Sequence, residues 1–430
     1  MNKNRAHPNL WYPFSITEGQ APPPKVVRGR GTTLELEDGR IILDCISSWW
    51  VNLHGHGNLR IADAIHEQAE RLEHVLFAGF THEPAERLAR ALTDQLPGPL
   101  SRVFYSDDGS TSVEVALKMA LQFWRNQGER RTSFIAFDGA YHGDTFGAMS
   151  AGARSLFTDA FGELLFDVDH VPYPATWMGD ASVEQREDET ISRIEALLTE
   201  APGRHAAIIV EPLVQGAGGM RVCREAFLQK LAAVQSRFGT LLIFDEVMTG
   251  FGRTGDWFAC RRAGVEPDLI CLAKGITGGF VPLAATVATS RIYEAFTGAG
   301  PERTFWHGHS YTANPIGCAA ALASLELMAE NEPVFSGMEE HHRGFLARLD
   351  PEDTTRHRVM GTIAAFDVRT EEEGGYLNRV GDQIKRLTLD RGLLLRPLGN
   401  TLYVMPPYSL TEEERESMYV GIEALVQEVT

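Results

Sequence analysis

From about residue 61 onward, short apolar runs alternate with stretches of helical periodicity, and this alternation constrains the fold more than any other feature of the chain. Helical spacing of apolar residues runs through Ile61–Glu73, Glu83–Gln95 and Val113–Asn126. Short β-rich runs fall at Arg102–Tyr105, Phe134–Phe137, Ala207–Val210, Leu241–Phe244 and Leu269–Leu272. Strands that alternate with helices predict an α/β domain around a mainly parallel sheet. After about residue 321 the texture changes: a helix at Ala319–Glu330 leads to Gly361–Val368, a helix near 376–391, and Leu393–Met405. We therefore expect a large domain over 61–320. A smaller α+β domain would be built from 321–430 together with an N-terminal arm, 1–60. Within that arm Pro22-Pro-Pro24 reads as a stiff extended segment, and Thr33–Leu43 reads as a hairpin with Asp38-Gly39 at its turn.

The chain has 430 residues and a formal net charge of -18, which argues against a nucleic-acid or anionic-membrane surface. No apolar run approaches the roughly 18 residues needed to span a bilayer. The opening Met1-Asn-Lys-Asn-Arg-Ala-His7 has no apolar core, so no secretory leader is expected. Cys45, Cys223, Cys260, Cys271 and Cys318 are odd in number and contain no C-x-x-C pair. A disulfide framework or zinc knuckle is thus not expected, and the reading is a cytoplasmic enzyme with reduced thiols.

In an open α/β sheet, ligands sit at the carboxyl ends of the strands. Three strand ends carry chemistry here: Leu241-Leu-Ile-Phe-Asp245, Ala207-Ile-Ile-Val-Glu211 and Leu269-Ile-Cys-Leu-Ala-Lys274. Of six lysines, Lys274 alone ends an apolar strand, where desolvation lowers the pKa and favours the nucleophilic amine. By itself such a lysine is as often one that reaches out to solvent. Paired with Asp245, it suits pyridoxal phosphate, which needs a lysine to form a Schiff base and an acid to keep its ring nitrogen protonated. The phosphate needs a helix N-terminus, and Ser106-Asp-Asp-Gly109-Ser110-Thr111-Ser-Val-Glu114 offers one, with Thr111 and Glu114 at capping-box spacing. Gly109 would admit the backbone and Ser110 add a hydroxyl, although the same segment also reads as a well-capped core helix. Tyr141 is the candidate to stack on the cofactor ring.

Two other patterns are decoys. Gly250-Phe-Gly-Arg-Thr-Gly255 matches the dinucleotide fingerprint, but five residues separate it from its strand and no acid follows at the ribose spacing. His54-Gly-His56 and His307-Gly-His309 lack carboxylate or thiolate partners at ligand spacing, so no metal is expected.

The whole chain resembles the class III aminotransferases of fold type I, and most closely their diaminopelargonic acid synthase branch. The strings that carry this are Ser47-Ser-Trp-Trp50, Tyr141-His-Gly-Asp-Thr-Phe-Gly-Ala-Met-Ser150, Glu211-Pro-Leu-Val-Gln-Gly-Ala-Gly-Gly219, Asp245-Glu-Val-Met-Thr-Gly-Phe-Gly-Arg-Thr-Gly255, Lys274-Gly-Ile-Thr-Gly-Gly279, Arg396-Pro-Leu-Gly399 and Met405-Pro-Pro-Tyr408. The resemblance implies pyridoxal 5'-phosphate as cofactor, with Lys274 as catalytic lysine, Asp245 at the ring nitrogen, Tyr141 stacked, and Gly109 and Ser110 at the phosphate. It also implies a homodimer in which His309 and Ser310 reach the neighbouring subunit's phosphate. Phe14, Trp49, Tyr141, Arg253, Gly308 and Arg396 would contact substrate, with Arg396 binding the carboxylate of 7-keto-8-aminopelargonate.

Many adenosylmethionine-using members have Gly-Pro-Thr where this chain has Gly308-His309-Ser310, and a tyrosine where it has Phe14. Both departures resemble the branch of the family that uses lysine as donor; adenosylmethionine, the commoner donor, is the expected one, with lysine as the alternative. An ω-amino acid or diamine aminotransferase of the same class is the rival reading.

Overall fold

In the computed structural model, residue 7 and residues 9–15, 22–298, 300–370 and 380–430 are described. An N-terminal meander comes first: β1 (Val26–Arg30), β2 (Thr33–Leu36) and β3 (Ile41–Asp44) are antiparallel neighbours. The large sheet is built from β4 (Leu100–Ser106), β5 (Ser133–Phe137), β6 (Asp169–Val171) and β7 (His205–Val210). A two-stranded ribbon, β8 (Val214–Gln215) and β9 (Arg221–Val222), interrupts it. The sheet is completed by β10 (Leu241–Asp245), β11 (Leu269–Leu272) and β12 (Ala284–Thr289).

Its seven strands run in the order β4-β12-β11-β10-β7-β5-β6. All are mutually parallel except β12, which is antiparallel to both of its neighbours. The expected α/β class with a mainly parallel sheet is what the chain adopts.

Successive side chains of a strand point to opposite faces, and here both faces are covered. Ile208, Val210, Leu242, Phe244, Ile270 and Leu272 enter one core cluster, while Ala207, Ile209, Leu241, Ile243, Leu269 and Cys271 enter another. This is why these strands read as unbroken apolar runs. The second cluster is closed by the helix Gly109–Asn126, whose Val113, Ala116, Leu117, Ala120, Phe123 and Trp124 are buried. Burying each large apolar side chain contributes about 1.5–3 kcal/mol.

Downstream, β13 (Thr354–Met360), β14 (Ile363–Val368) and β16 (Thr401–Val404) form a three-stranded antiparallel sheet, and β15 (Leu393–Leu394) joins β3 in parallel. The expected helix near 376–391 is observed as Val380–Asp390, and residues 376–379 lie outside the described residues. All five cysteines are buried and unpaired. Among the described residues, no helix is long and apolar enough to cross a membrane, and no group of three potential ligands could hold a metal ion.

Candidate active site

Strands β7, β10 and β11 are neighbours, so their carboxyl ends bring Glu211, Asp245 and Lys274 together. The register pairs Asp245 with Cys271 across β10 and β11, and Phe244 with Val210 across β10 and β7. Lys274 leaves its strand at φ +43°, a left-handed conformation that a side-chain-bearing residue adopts at a cost. A one-turn 3-10 helix, Lys274–Thr277, follows and ends on Gly278, also left-handed. The Lys274 Nζ lies 5.3 Å from the centre of the Trp50 ring. Burial pushes its ammonium pKa down, and the charges of Asp245 and Glu211 only partly oppose this.

Asp245 is buried, accepting from His142 Nδ1 at 2.7 Å and from the Val247 amide at 3.1 Å. Burial opposes a charged His142 ring, but the hydrogen bond and charge of Asp245, with Glu211, outweigh it and leave the pKa raised. Glu211 spans two loops: one oxygen accepts from the Tyr141 amide at 3.1 Å, the other from Gly216 at 3.0 Å. Burial pushes this carboxyl up to about 7, with the His142 charge opposing it. Tyr141 is partly exposed and donates to Asp144 at 3.0 Å.

The segment expected to cradle the phosphate is a helix start, but the helix begins at Gly109, earlier than expected, and its cap differs from the expected one. Asp108 accepts from the Thr111 amide at 3.0 Å while its own amide donates to the Thr111 hydroxyl at 3.1 Å, so the capping box is Asp108–Thr111 rather than Thr111–Glu114. Glu114 instead accepts from the Gly147 and Ala148 amides, at the start of the next helix. Gly109 lacks a side chain for a packing reason: a Cβ there would lie 2.6 Å from Val247 Cγ1. The Ser110 hydroxyl accepts from the Asp144 amide at 3.1 Å, and a Cβ on Gly143 would collide with Ser110. Bare glycine and serine at the first turn leave amide donors without intrahelical acceptors.

A cleft of about 860 Å³ opens beside Tyr141 and is also lined by Phe14, Trp49, Trp50, Trp177 and Arg396. The Phe14 and Trp49 ring centres are 5.7 Å apart, and the Arg396 guanidinium lies 4.3 Å from the centre of the Trp49 ring. Phe14, Trp49 and Arg396, far apart in sequence, are thus one cluster. Among the described residues, Arg396 has no hydrogen-bonded or ionic partner.

Arg253, expected near the polar end of the substrate pocket, lies directly behind Trp50 of the cleft wall. It is buried outside the cleft lining and donates to three backbone carbonyls, Pro406 at 3.1 Å, Trp50 at 3.4 Å and Asn52 at 3.3 Å. Gly308 and Ser310 are exposed on the loop that carries His309, whose Nδ1 is 3.3 Å from Asp107 of the same chain.

The decoys behave as loops. Gly252, at φ +90°, packs where a Cβ would lie 2.7 Å from the Tyr408 hydroxyl, and a Cβ on Gly55 would be 3.0 Å from the backbone of Gly31. Sequence reasoning assigned no role to His142 or Gln215. His142 stands directly after Tyr141, the one local signal it gives.

Pyridoxal phosphate fits this residue set. The Nε2 atom of His142 and both polar atoms of the Gln215 amide are buried without partners among the described residues. Such atoms are costly unless something satisfies them. A lysine with a lowered pKa, a buried acid and a glycine-serine helix start complete the donor set.

The family model for class III aminotransferases matches residues 16–426. The adenosylmethionine-8-amino-7-oxononanoate aminotransferase of Synechococcus elongatus is 58% identical over 99% of this chain and 100% of its own. Its counterpart in Geobacter sulfurreducens is 39% identical over 98% of this chain and 96% of its own. Among solved structures, the enzyme of that name from Methanocaldococcus jannaschii superposes with a TM-score of 0.89 at 33% identity, covering 98% of this chain and 97% of its own. A PLP-bound amine transaminase from an uncultivated Pseudomonas species gives a TM-score of 0.92 at 31% identity, covering 99% and 100%.

Proposed function

Because the chain belongs to the class III aminotransferases, we propose that it aminates 7-keto-8-aminopelargonate to 7,8-diaminopelargonate in biotin biosynthesis, with pyridoxal phosphate as cofactor and adenosylmethionine as amino donor. The observation that carries the substrate is the Arg396 guanidinium, without a hydrogen-bonded or ionic partner among the described residues, lying over Trp49 beside Phe14. An aromatic-walled cleft ending in a free guanidinium suits a long apolar substrate with a terminal carboxylate. A diamine has no carboxylate and would leave Arg396 unused, and a short ω-amino acid would leave the aromatic wall unfilled.

When bound, pyridoxal phosphate supplies a carbonyl that a lysine holds covalently and an electron sink for charge at the substrate carbon. Lys274 takes the proton from the donor's α-carbon and, in the second half-reaction, returns one to C7 of the acceptor. Its lowered pKa keeps the amine available as a base. Asp245, held by His142, would offer its carboxylate to a protonated ring nitrogen. Gly109 and Ser110 would hold the phosphate, and Glu211 fixes the loop that carries Tyr141. Arg396 holds the acceptor's carboxylate, while Trp49 and Phe14 exclude water around its chain. The same reading makes the protein a cytoplasmic homodimer, with His309 and Ser310 serving the neighbouring subunit's phosphate and Gly308 its substrate.

A visible absorption band in the cofactor-loaded protein that is absent from Lys274→Ala is the expected result, and an unchanged band overturns the lysine assignment. Mass spectrometry should detect diaminopelargonate from the keto acid, whereas turnover of ω-amino acids alone supports the rival. Phe14, which lacks a hydroxyl, favours a second reading in which lysine is the donor. Stopped-flow mixing with adenosylmethionine or lysine separates the two.

A further inference from the structure

Ser47, Ser48 and Trp50 take φ angles of +53°, +58° and +68°, a run of left-handed backbone without a glycine. Side chains make this region unfavourable, so a structure that uses it three times in four residues must hold it there. One carboxylate does so from inside. Asp44, fully buried at the end of β3, accepts from the Ile46 amide at 3.2 Å, the Ser48 amide at 2.7 Å and the Ser48 hydroxyl at 3.1 Å. From the other side it accepts from His56 Nε2 at 2.9 Å, and His56 Nδ1 is 3.1 Å from the Asn52 side-chain nitrogen. The Ser47 hydroxyl donates to the Met405 carbonyl at 2.8 Å, and Arg253 reaches the Trp50 and Asn52 carbonyls.

The turn delivers two tryptophans to different places. Trp49 is 41% exposed, in the cleft between Phe14 and Arg396. Trp50 is buried, with its Nε1 donating to the Tyr403 hydroxyl at 2.9 Å and its ring beside Lys274. Neither Asp44 nor His56 lines the cleft.

We propose that Asp44 and His56 are positioning residues for substrate specificity, locking the left-handed Ser47–Trp50 turn so that Trp49 faces the acceptor's chain at the Arg396 end of the cleft. The inference rests on the reading of Trp49 and Arg396 as the acceptor's binding end. A pair that only stabilised the fold would not select between kinetic constants. A pair that aims Trp49 acts on recognition of the long-chain keto acid and leaves the proton transfers at Lys274 in place.

The test uses full-length, cofactor-loaded Asp44→Asn, in which one acceptor oxygen becomes an amino group facing the donors of Ser48 and His56. The KM for 7-keto-8-aminopelargonate should rise roughly tenfold with kcat within about threefold, and the visible band should be unchanged. Trp49 fluorescence, isolated by subtracting the Trp49→Phe signal, should become more open to acrylamide quenching. Adding Ser48→Gly should recover the KM, because glycine adopts that φ without the carboxylate. Unchanged KM and quenching overturn the proposal, as does an equal loss in kcat and KM that Ser48→Gly does not repair. If Asp44→Asn does not fold, His56→Gln, which disturbs the same carboxylate, takes the same readouts. If the wild type does not accept the keto acid, the functional reading fails, and acrylamide quenching alone decides the positioning claim.

Discussion

His142 donates through Nδ1 to Asp245 across 2.7 Å, with both side chains shut off from solvent. The acid at the centre of the site is therefore aimed by a neighbour 103 residues away in sequence. Removing the ring in His142→Ala forfeits a charge-assisted bond worth about 1.5–3 kcal/mol. If all of that reaches the transition state, kcat falls roughly ten- to hundred-fold. Steady-state kinetics check this, and an unaltered kcat would show that Asp245 keeps its orientation unaided.

Arg396→Ala should raise the KM for the keto acid by about ten- to hundred-fold, the equivalent of one lost charge-assisted contact. The donor half-reaction should be spared. Stopped-flow measurement of each half-reaction decides it, since equal damage to both removes Arg396 from acceptor recognition.

Gly143 sits at φ +129°, with no room for a Cβ beside Ser110. In Gly143→Ala the serine must shift, at an overpacking cost of about 1–3 kcal/mol. We expect weaker binding of pyridoxal phosphate, read by absorbance titration, with the apoprotein still folded by circular dichroism. Unchanged affinity would mean that Ser110 takes no part in holding the phosphate.

His342 is buried with Nε2 donating to the Thr362 carbonyl at 3.0 Å and Nδ1 accepting from the Tyr419 hydroxyl at 2.9 Å, an arrangement that suits the neutral ring. Burial pushes its pKa down to about 4. The unfolded chain takes up this proton near 6.5 and the folded chain does not, so stability is intact above about 6.5 and is lost as pH falls toward 4. The loss is on the order of 3 kcal/mol. Urea unfolding between pH 7 and pH 4 should show a shallower slope in His342→Gln, and an identical slope in both proteins would rule out this histidine as a source of acid sensitivity.

Much of the large sheet was legible because a strand buried on both faces reads as a short apolar run bounded by loops, as Leu241–Asp245 and Leu269–Leu272 do. Ala284–Thr289 was not anticipated. Its alanines and threonines carry too little apolar bulk to announce a strand, yet all six residues are buried between β11 and β4. The start of the helix at Gly109 was read late, at Val113, because its polar first turn breaks the apolar period.

The strand-end residues Asp245 and Lys274 follow from topology, so local pattern sufficed to pair them. Arg253 and His142 did not yield to it. What Arg253 donates to is backbone, which no side-chain pattern encodes, and the partner of His142 lies on a distant strand. Phe14, Trp49 and Arg396 came from family resemblance rather than local rules, and the structure brings their side chains into one cluster.

Asp245 ends its strand, and Glu211 and Lys274 follow one and two residues past the ends of the parallel strands on either side of it. The lateral pitch of the strands that carry them is set by backbone hydrogen bonding, about 4.8 Å per strand. The surfaces proposed to choose a substrate come instead from Phe14, the Trp49 turn and Arg396, none of which lies in that sheet. Reactivity and selectivity thus have separate mechanical supports. A lineage could exchange one amine or keto acid for another by rebuilding the rim, while the comb of strands beneath it keeps its spacing.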